Sequence, residues 1–420
     1  MTRITLFFLI LFNAFFSFSQ NEEYFKHTIK ILSANDKHGR GYVKHGDKKA
    51  SKFIEKEFEK FGLKKLSSSF IQSFNLDVNT FPGKTFVEID HKKLIPGKDF
   101  IIAPGSSSCK GNYELCRLNK ALLDDSLQFE KFKSINFSDK LIVIDNQGMS
   151  SPEEKKALRS LSSNPFNARG IIFLTDEKLT WSVSQKLVNY LVLEINRSVF
   201  NDSVKNIKLN IENKFIRKYE TQNVIGYIPG SLNPDSFIVF SAHYDHLGQM
   251  GKETIFPGAN DNASGTAMIL DLANHYSKHR PKYSVVFMAF AAEEAGLVGS
   301  EYYTLNPLFP LEKIKFLINL DLMGYGEDGI TVVNGSVFEK EFELLSKISS
   351  ENGLLTSVNK RGKAANSDHY HFSEKGIKAF FIYTLGNSKA YHDIYDTPDQ
   401  LKHPKYKEIF NLLIQFAEKL

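Results

Sequence analysis

The spacing of apolar residues changes along the chain, and each change predicts a different kind of element. Residues 50–61 carry apolar side chains at helical spacing, and Gly62 is well placed to end that helix. Over residues 81–215 the apolar residues gather instead in short β-type runs, with a helix predicted over 152–161. The strands predicted there are LIVID at 141–145, GIIFL at 170–174, YLVLEI at 190–195 and the alternating stretch Ile207, Leu209, Ile211. The pattern indicates a separate small β-rich unit.

From Asn223 onward, longer predicted strands alternate with predicted helices. The strands are 224–228, 237–240, 283–289, 316–320, 330–333 and 379–383, and the helices are 264–279, 339–351 and 406–419. This alternation is typical of a parallel sheet covered by helices. We therefore predict an α/β fold with a mostly parallel central sheet flanked by helices, into which the small β-rich unit is inserted.

The first residues predict a signal peptide. Arg3 supplies a positive charge, residues 4–16 are apolar except for Thr5 and Asn13, and small residues at 17 and 19 suit a signal peptidase. The apolar run is shorter than the ~20 residues that span a bilayer, which disfavours a membrane anchor. We predict that residues 1–19 are removed and that the protein is exported, to the periplasm or the cell exterior.

Composition and charge restrict the classes of partner that the protein is expected to bind. The chain has 420 residues, 42% of them hydrophobic, which is enough for a substantial core. Its 53 Lys and Arg against 48 Asp and Glu leave a net charge of +5 spread along the sequence, so nucleic acid is a poor candidate partner. Cys109 and Cys116 lie in a Gly/Ser-rich stretch that we expect to be a loop. A local disulfide is favoured in an exported protein, with two reduced thiols as the alternative.

Acidic and imidazole side chains recur at or just after the carboxyl ends of the strands predicted in the second half. They are His243 and Asp245 in SAHYDHLG, Asp261 in GANDNASG, Glu293 and Glu294 in AFAAEEAG, Asp321 in NLDLMG and His392 in YHDIYDTPDQ. Taken singly, each has an ordinary explanation, such as a helix cap or solvated charge. Because strand ends of an open α/β sheet meet in one crevice, their joint occurrence predicts a single site.

The residue types in that site favour metal ions. Carboxylates and imidazoles crowded together would repel one another and lose hydration unless cations were bound. Imidazole and carboxylate ligands suit zinc, and the set is too large for one catalytic zinc with an open position. Two ions about 3.5 to 4 Å apart, sharing one bridging carboxylate, use the whole set. We therefore predict two Zn²⁺ per chain.

The order of the motifs carries further information. HxD, then ND before NASG, then EE after an apolar strand, then NLD, then YH resembles the co-catalytic zinc aminopeptidase family, which also includes glutamate carboxypeptidase-like and glutaminyl-cyclase-like members. The resemblance covers roughly residues 223–400, and the β-rich insert resembles a protease-associated (PA) domain. The division implied is a signal peptide at 1–19, an N-terminal part of the peptidase domain at 20–80, a PA-like insert at 81–215 and the zinc peptidase domain at 216–420.

The resemblance implies a metal role for five residues. His243 and Asp321 would hold one zinc, Glu294 and His392 would hold the other, and Asp261 would bridge them. These are the residue types that zinc takes when no cysteine is available.

Two further residues are implied in the reaction. Glu293 would be the general base that takes a proton from a water between the metals, and the resulting hydroxide would attack the peptide carbonyl. Tyr391 resembles the family tyrosine whose hydroxyl supports the oxyanion.

Neighbouring residues receive supporting positions. Asp245 is predicted to orient the imidazole of His243 rather than to bind metal, and Asp396 is a weaker candidate for the same task at the second imidazole. His246 is predicted to be a neighbour of the site rather than a ligand. Residues 367–369, SDH, resemble a family loop near the substrate, with a hydrogen-bonded turn as the alternative.

The function predicted is that of an exported zinc-dependent aminopeptidase acting on peptides with a free N-terminus. A carboxypeptidase on the same fold is an alternative; it needs cations for the terminal carboxylate, and Arg361 with Lys363 is the pair that we can propose. A glutaminyl cyclase is disfavoured because that branch typically works with one metal, whereas His243 supports two. The third alternative is a binding protein in which the PA-like insert recognises a partner.

Overall fold

The structure is a computed structural model that describes residues 22–148, 151–201 and 203–420, so the predicted signal peptide lies outside it. Its helices are α1 Glu22–Leu32, α2 Gly46–Lys60, α3 Lys120–Asp124, α4 Ser126–Lys133, α5 Pro152–Ser160, α6 Gly265–Lys278, α7 Val298–Leu305, α8 Glu339–Glu351, α9 His369–Glu374 and α10 Tyr406–Lys419. Within these ranges, no helix combines the length and the apolar character that crossing a bilayer requires.

The strands form two large sheets and one hairpin. They are β1 Ile71–Thr80, β2 Thr85–Ile89, β3 Lys92–Lys93, β4 Phe100–Ile102, β5 Cys109–Leu118, β6 Leu141–Asp145, β7 Gly170–Thr175, β8 Leu191–Asn196, β9 Asn206–Ile211, β10 Lys214–Ile228, β11 Asn233–His243, β12 Gly248–Met250, β13 Thr254–Phe256, β14 Tyr283–Phe290, β15 Ile314–Asp321, β16 Ile330–Val333, β17 Val358–Lys360 and β18 Ala379–Thr384.

The central sheet has the strand order β1-β10-β14-β11-β15-β18-β16-β17. Its middle strands β14, β11, β15 and β18 run parallel, while β10 and β16 are antiparallel to their inner neighbours. The α/β prediction is therefore confirmed, with antiparallel strands added on both sides of the parallel centre. The parallel strands place their carboxyl ends at one edge of the sheet.

Helices cover both faces of this sheet. Alternate residues of β11 point to opposite sides, so Phe240 packs in the same apolar cluster as residues of α2, α6 and α10, whereas Val239 packs with Tyr303 of α7 and Phe372 of α9. Burial on both faces explains why these strands appear in the sequence as continuous apolar runs rather than as an alternating pattern.

The second sheet contains β2 to β9 in the order β3-β2-β9-β5-β6-β7-β8-β4. Strands β5, β6, β7 and β8 run parallel to one another, and α3, α4 and α5 lie in the connections between them. Strands β1 and β10 pair along the central sheet and lead the chain into and out of the second sheet. Helices α3, α4 and α5 thus accompany the second sheet. The sequence predicts one helix in this region, over 152–161, so the region contains more helix than predicted.

The disulfide that the sequence favours is wrong, and the alternative of two reduced thiols is confirmed. Both cysteines lie on one strand, β5, and both are free thiols, Cys109 buried and Cys116 half-buried. Seven residues of extended strand separate their Cα atoms by about 23 Å, whereas a disulfide needs about 4.4–6.8 Å. The Gly and Ser content of this stretch predicts a loop, but the residues form a strand whose exposed positions carry Lys110, Asn112 and Glu114.

Candidate metal centre

The ends of three neighbouring parallel strands supply most of the candidate site. His243 is the last residue of β11, Asp321 is the last residue of β15, and Glu293 follows the end of β14 by three residues. Asp261 comes from the turn before α6, and His392 comes from the loop after β18. The structure therefore brings together residues up to 149 positions apart, because parallel strands share one carboxyl edge.

The distances between these side chains define the site. His243 Nε2 lies 3.3 Å from Asp321 Oδ2 and 3.4 Å from Asp261 Oδ1. On the other side, His392 Nε2 lies 3.1 Å from Asp261 Oδ2 and 3.2 Å from Glu294 Oε2. The two oxygens of Asp261 thus face different imidazoles, which is the arrangement expected of a carboxylate shared between two ions.

His246 lies closer to the site than the sequence suggests. Its Nδ1 is 2.8 Å from Glu294 Oε1 and 3.9 Å from Asp261 Oδ1. His246, Asp261 and Glu294 offer ligand atoms that all lie within 4.8 Å of one another, as do His243, Asp261 and Asp321. A further group of this kind contains His243, Glu293 and Glu294. His246 is therefore a second imidazole beside Glu294, which agrees with its predicted place as a neighbour of the site.

The pKa values of the adjacent glutamates Glu293 and Glu294 are shifted in opposite directions. Burial raises the pKa of Glu293 well above its ordinary range, and the neighbouring carboxylate of Glu294 adds to that rise. Burial also acts to raise the pKa of Glu294, but hydrogen bonds from His246 and His392 bring it well below the ordinary range. Two carboxyl groups whose pKa values are driven apart suit different roles, one that carries a proton and one that stays ionised.

The residues present fit bound cations. Burial acts to lower the pKa of His392, yet Asp261 and Glu294 raise it to about 11, so negative charge dominates around that ring. Asp321 Oδ1 and His246 Nε2 are buried without a hydrogen-bond partner among the described residues. Buried polar atoms normally have partners, and imidazole with carboxylate donors is a ligand set that zinc takes.

Asp245 lies beside the imidazole of His243, as predicted, and also contacts the backbone of the two glutamates. The carboxylate of Asp245 accepts the backbone N–H groups of Glu293 and Glu294 at 3.2 and 3.3 Å, while the Nδ1 of His243 lies 3.2 Å from the Asp245 backbone carbonyl oxygen. The carboxylate of Asp245, 3.7 Å from that ring nitrogen, therefore fixes the turn of the two glutamates more closely than it fixes the imidazole.

Asp396 hydrogen-bonds to backbone groups and not to the imidazole of His392 that it is predicted to orient. Its carboxylate accepts the backbone N–H groups of Asn260 and Asp261 at 2.9 and 3.0 Å. It therefore holds the turn that presents Asp261, not the ring of His392, because the loop after β18 folds back over the turn before α6.

Arg40 is a residue that the sequence reading missed. Its guanidinium is fully buried and donates to the backbone carbonyl oxygens of Leu32, Tyr244, Pro257, Gly258 and Asp261 at 2.6 to 3.1 Å. Burial lowers the pKa of Arg40 to about 10, so it stays charged at neutral pH beside the acidic site. All five N–H donors of the guanidinium are used, and two of the loops that carry site residues are tied together.

The glycines around Arg40 make this approach sterically feasible. Gly39 has a φ of +63°, and a Cβ there would lie 2.3 Å from the Gly248 carbonyl oxygen. A Cβ at Gly41 would lie 2.5 Å from the Cα of Gly248. The GRG triplet is the signal that marks a close backbone contact, although it does not show which way the arginine points.

The second sheet's domain contacts the loops of the site. The backbone N–H of Trp181 donates to the His392 carbonyl oxygen at 2.8 Å, and Lys178 Nζ lies 2.6 Å from the buried carboxylate of Asp393. Gln185 Nε2 donates to the Ala295 carbonyl oxygen at 2.8 Å, next to the glutamate pair. The 178–185 segment therefore braces both the His392 loop and the loop after β14.

The remaining sequence candidates lie at the edge of the site or away from it. Tyr391 is 49% exposed, and its ring stacks on His392 with centroids 4.0 Å apart. Asp368, at the start of α9, is fully buried, and burial raises its pKa to about 7. Arg361 and Lys363 are exposed, and Lys363 forms an ion pair with Glu374.

Known proteins match both the sequence and the fold. Residues 223–417 match peptidase family M28. An aminopeptidase of Pseudomonas aeruginosa is 29% identical over 261 residues, which are 58% of this chain and 42% of that protein. Aminopeptidase YwaD of Bacillus subtilis is 24% identical over 323 residues, 73% of this chain and 67% of its own length. The solved structure of a zinc aminopeptidase from Bacillus subtilis aligns over 94% of both chains with a TM-score of 0.68 at 20% identity. This chain thus spans less than half the length of the Pseudomonas relative, and the structural likeness confirms the fold.

Proposed function

We propose that this chain is an exported zinc aminopeptidase that removes residues from the N-terminus of peptides, because its residues 223–417 match peptidase family M28. One observation carries the proposal: the two oxygens of Asp261 face His243 and His392, 3.4 and 3.1 Å away, within one buried acidic cluster. That arrangement supports a pair of neighbouring cations sharing one carboxylate.

The residues assigned to the metals follow from these contacts. His243 and Asp321 would hold one zinc, Glu294 and His392 would hold the other, and Asp261 would bridge them. His246 touches Glu294 at 2.8 Å and keeps that carboxylate ionised and oriented. Bound zinc would lower the pKa of a water and polarise the substrate carbonyl.

Glu293 is assigned the proton transfer. Its carboxyl is buried beside the metal residues but has a raised pKa, so it can hold a proton between its removal from water and its delivery to the leaving amine. Its backbone N–H is fixed by Asp245, which keeps the side chain aimed at the same place in each turnover.

The charge of the site and the exposure of Tyr391 suggest how the N-terminus of a peptide would bind. The free α-amine of a peptide is a cation, and the carboxylate-rich site favours it electrostatically. We assign Tyr391, which is 49% exposed and whose ring stacks on His392, the role of donating its hydroxyl to the oxygen of the carbonyl under attack. A carboxypeptidase receives less support, because Lys363 is already paired with Glu374 at the surface.

The domain division and the export route are also part of the proposal. We assign residues 20–80 and 216–420 to the peptidase domain and residues 81–215 to a PA-like insert that braces the metal loops. Residues 1–19 would be removed on export to the periplasm or the cell exterior. Two Zn²⁺ per chain and a peptide with a free N-terminus complete the assignment.

A substrate pair tests the function directly. The mature, zinc-loaded protein is expected to release the chromophore from an aminoacyl nitroanilide and to leave the N-acetylated form of the same compound intact, because the site accepts a free amine. A chelator should abolish turnover and added zinc should restore it. Turnover that survives chelation, or equal cleavage of the acetylated compound, would exclude a zinc aminopeptidase.

A further inference from the structure

A large cavity lies away from the metal centre, between the second sheet and the β12–β13 hairpin. Its volume is about 1160 Å³. Apolar side chains line it, among them Phe86, Leu94, Met250, Ile255 and Ile394. Ile95, at its edge, is 50% exposed. A groove with this lining offers apolar contact to an extended chain.

The rim of this groove is positively charged. Five exposed lysines line it: Lys84, Lys93, Lys110, Lys208 and Lys252. None of them forms an ion pair with a residue that the structure describes, and Glu253 is the single carboxylate in the lining. The Nζ atoms of Lys93 and Lys208 lie 5.7 and 6.0 Å from the ring centroid of Phe86. Glu88 is the direct cross-strand neighbour of both Lys93 and Lys208. The groove therefore combines an excess of positive charge at its rim with an apolar lining.

The groove and the candidate metal centre are built from the same chain segments. Ile394 of the groove follows His392 by two residues, so their Cα atoms are at most about 7 Å apart. Strand β13, whose Thr254 and Ile255 line the groove, leads after five residues from Phe256 into Asp261. The lining of the groove therefore comes within the length of a few extended peptide residues of the metal centre.

We propose that this groove binds the C-terminal part of peptide substrates and selects tails rich in carboxylates. The inference rests on the proposed function, since it requires the substrate N-terminus to lie at the metal centre. The lysines of the groove are complementary in charge to an acidic tail. Ile394 lines the groove and lies two residues from His392, which favours a substrate over a separate acidic partner. At about 3.3–3.6 Å per residue, tails of three or more residues beyond the cleaved bond would engage the lysines.

Two peptides and two double variants test the groove. The octapeptides share their first four residues and end in either four glutamates or four glutamines. Wild-type enzyme at low salt is expected to show a KM roughly tenfold lower for the glutamate tail, and about 0.5 M salt should reduce that ratio. Lys93→Glu with Lys208→Glu should abolish the preference. Lys30→Glu with Lys340→Glu changes the net charge equally at exposed helix positions and should retain it.

The possible results distinguish a failure of the groove proposal from a failure of the proposed catalytic function. Equal KM values for the two tails, or a ratio that persists in the Lys93/Lys208 variant, would overturn the inference. An aminoacyl amide without a tail reports catalysis alone, and its resistance to the wild-type enzyme would reject the proposed function. Fluorescence anisotropy of the labelled glutamate peptide then tests the groove by itself: binding lost in the Lys93/Lys208 variant supports it, and absence of binding overturns it. If the glutamate peptide binds and the Lys93/Lys208 variant loses that binding, but the two tails have equal KM values, the groove would bind an acidic partner. That result would overturn the substrate role.

Discussion

The Glu293→Gln variant is expected to lose about 10²–10⁴-fold in kcat, the range that general acid–base catalysis contributes. Glutamine keeps the size of the side chain but cannot take a proton from water or return one to the leaving amine. Because Glu293 is assigned no metal, the variant should still contain two zinc ions per chain. Steady-state kinetics on an aminoacyl nitroanilide, with metal analysis of the same sample, measures both.

Two companion variants make the Glu293 result specific. Glu294→Gln removes the carboxylate that contacts His246 and His392, so it should lower the zinc content as well as kcat. Glu301→Gln removes an exposed charge on the nearby helix α7 and should leave both quantities unchanged. A Glu293→Gln enzyme that retains more than a third of the wild-type kcat, or that has lost zinc, would contradict the assignment of Glu293 as the base.

The Arg40→Met variant is expected to lose about 3 to 5 kcal/mol of the free energy of unfolding. Five backbone carbonyl oxygens lose a charged donor in the protein interior, and each buried acceptor left unpaired costs about 1–3 kcal/mol before the loops relax. Arg40→Lys keeps the charge but offers three donors in a different geometry, so it should recover only part of the loss. Urea unfolding of the mature protein gives the values.

A matched surface arginine completes the Arg40 measurement. Arg280 is exposed after helix α6, and Arg280→Met should change stability by no more than about 0.5 kcal/mol. Since Arg40 also holds the Asp261 carbonyl oxygen, the Arg40→Lys variant should bind zinc more weakly than wild type. A loss below about 1 kcal/mol in Arg40→Met, with normal zinc affinity, would mean that the loops are held without the guanidinium.

The strand ends were predictable because their chemistry and their periodicity coincide. A continuous apolar run that stops at His243 or Asp321 identifies a buried parallel strand and the functional residue at its end. The helices over 339–351 and 406–419 have the bounds that the sequence predicted, since each carries a clear apolar stripe. Strand β1 is absent from the prediction, although its apolar residues Phe74, Leu76 and Val78 alternate with polar ones as a strand requires, and it pairs with β10.

The supporting contacts were not predictable, because they depend on how loops fold over one another. Arg40, Asp396 and His246 occupy their positions through backbone groups and side chains from distant segments, which no local spacing encodes. Lys178 and Trp181 lie between β7 and β8 of the second sheet and still contact the His392 loop. Only the folded arrangement relates the two parts of the chain at that point.

Anomalous diffraction at the zinc edge from crystals of the zinc-loaded protein tests the central claim most directly. The claim is that the side chains at the carboxyl edge of the sheet enclose a pair of cations. Two anomalous peaks are expected, one on each side of the Asp261 carboxylate, the first beside His243 and Asp321 and the second beside Glu294 and His392. A single peak, or peaks remote from Asp261, would contradict it.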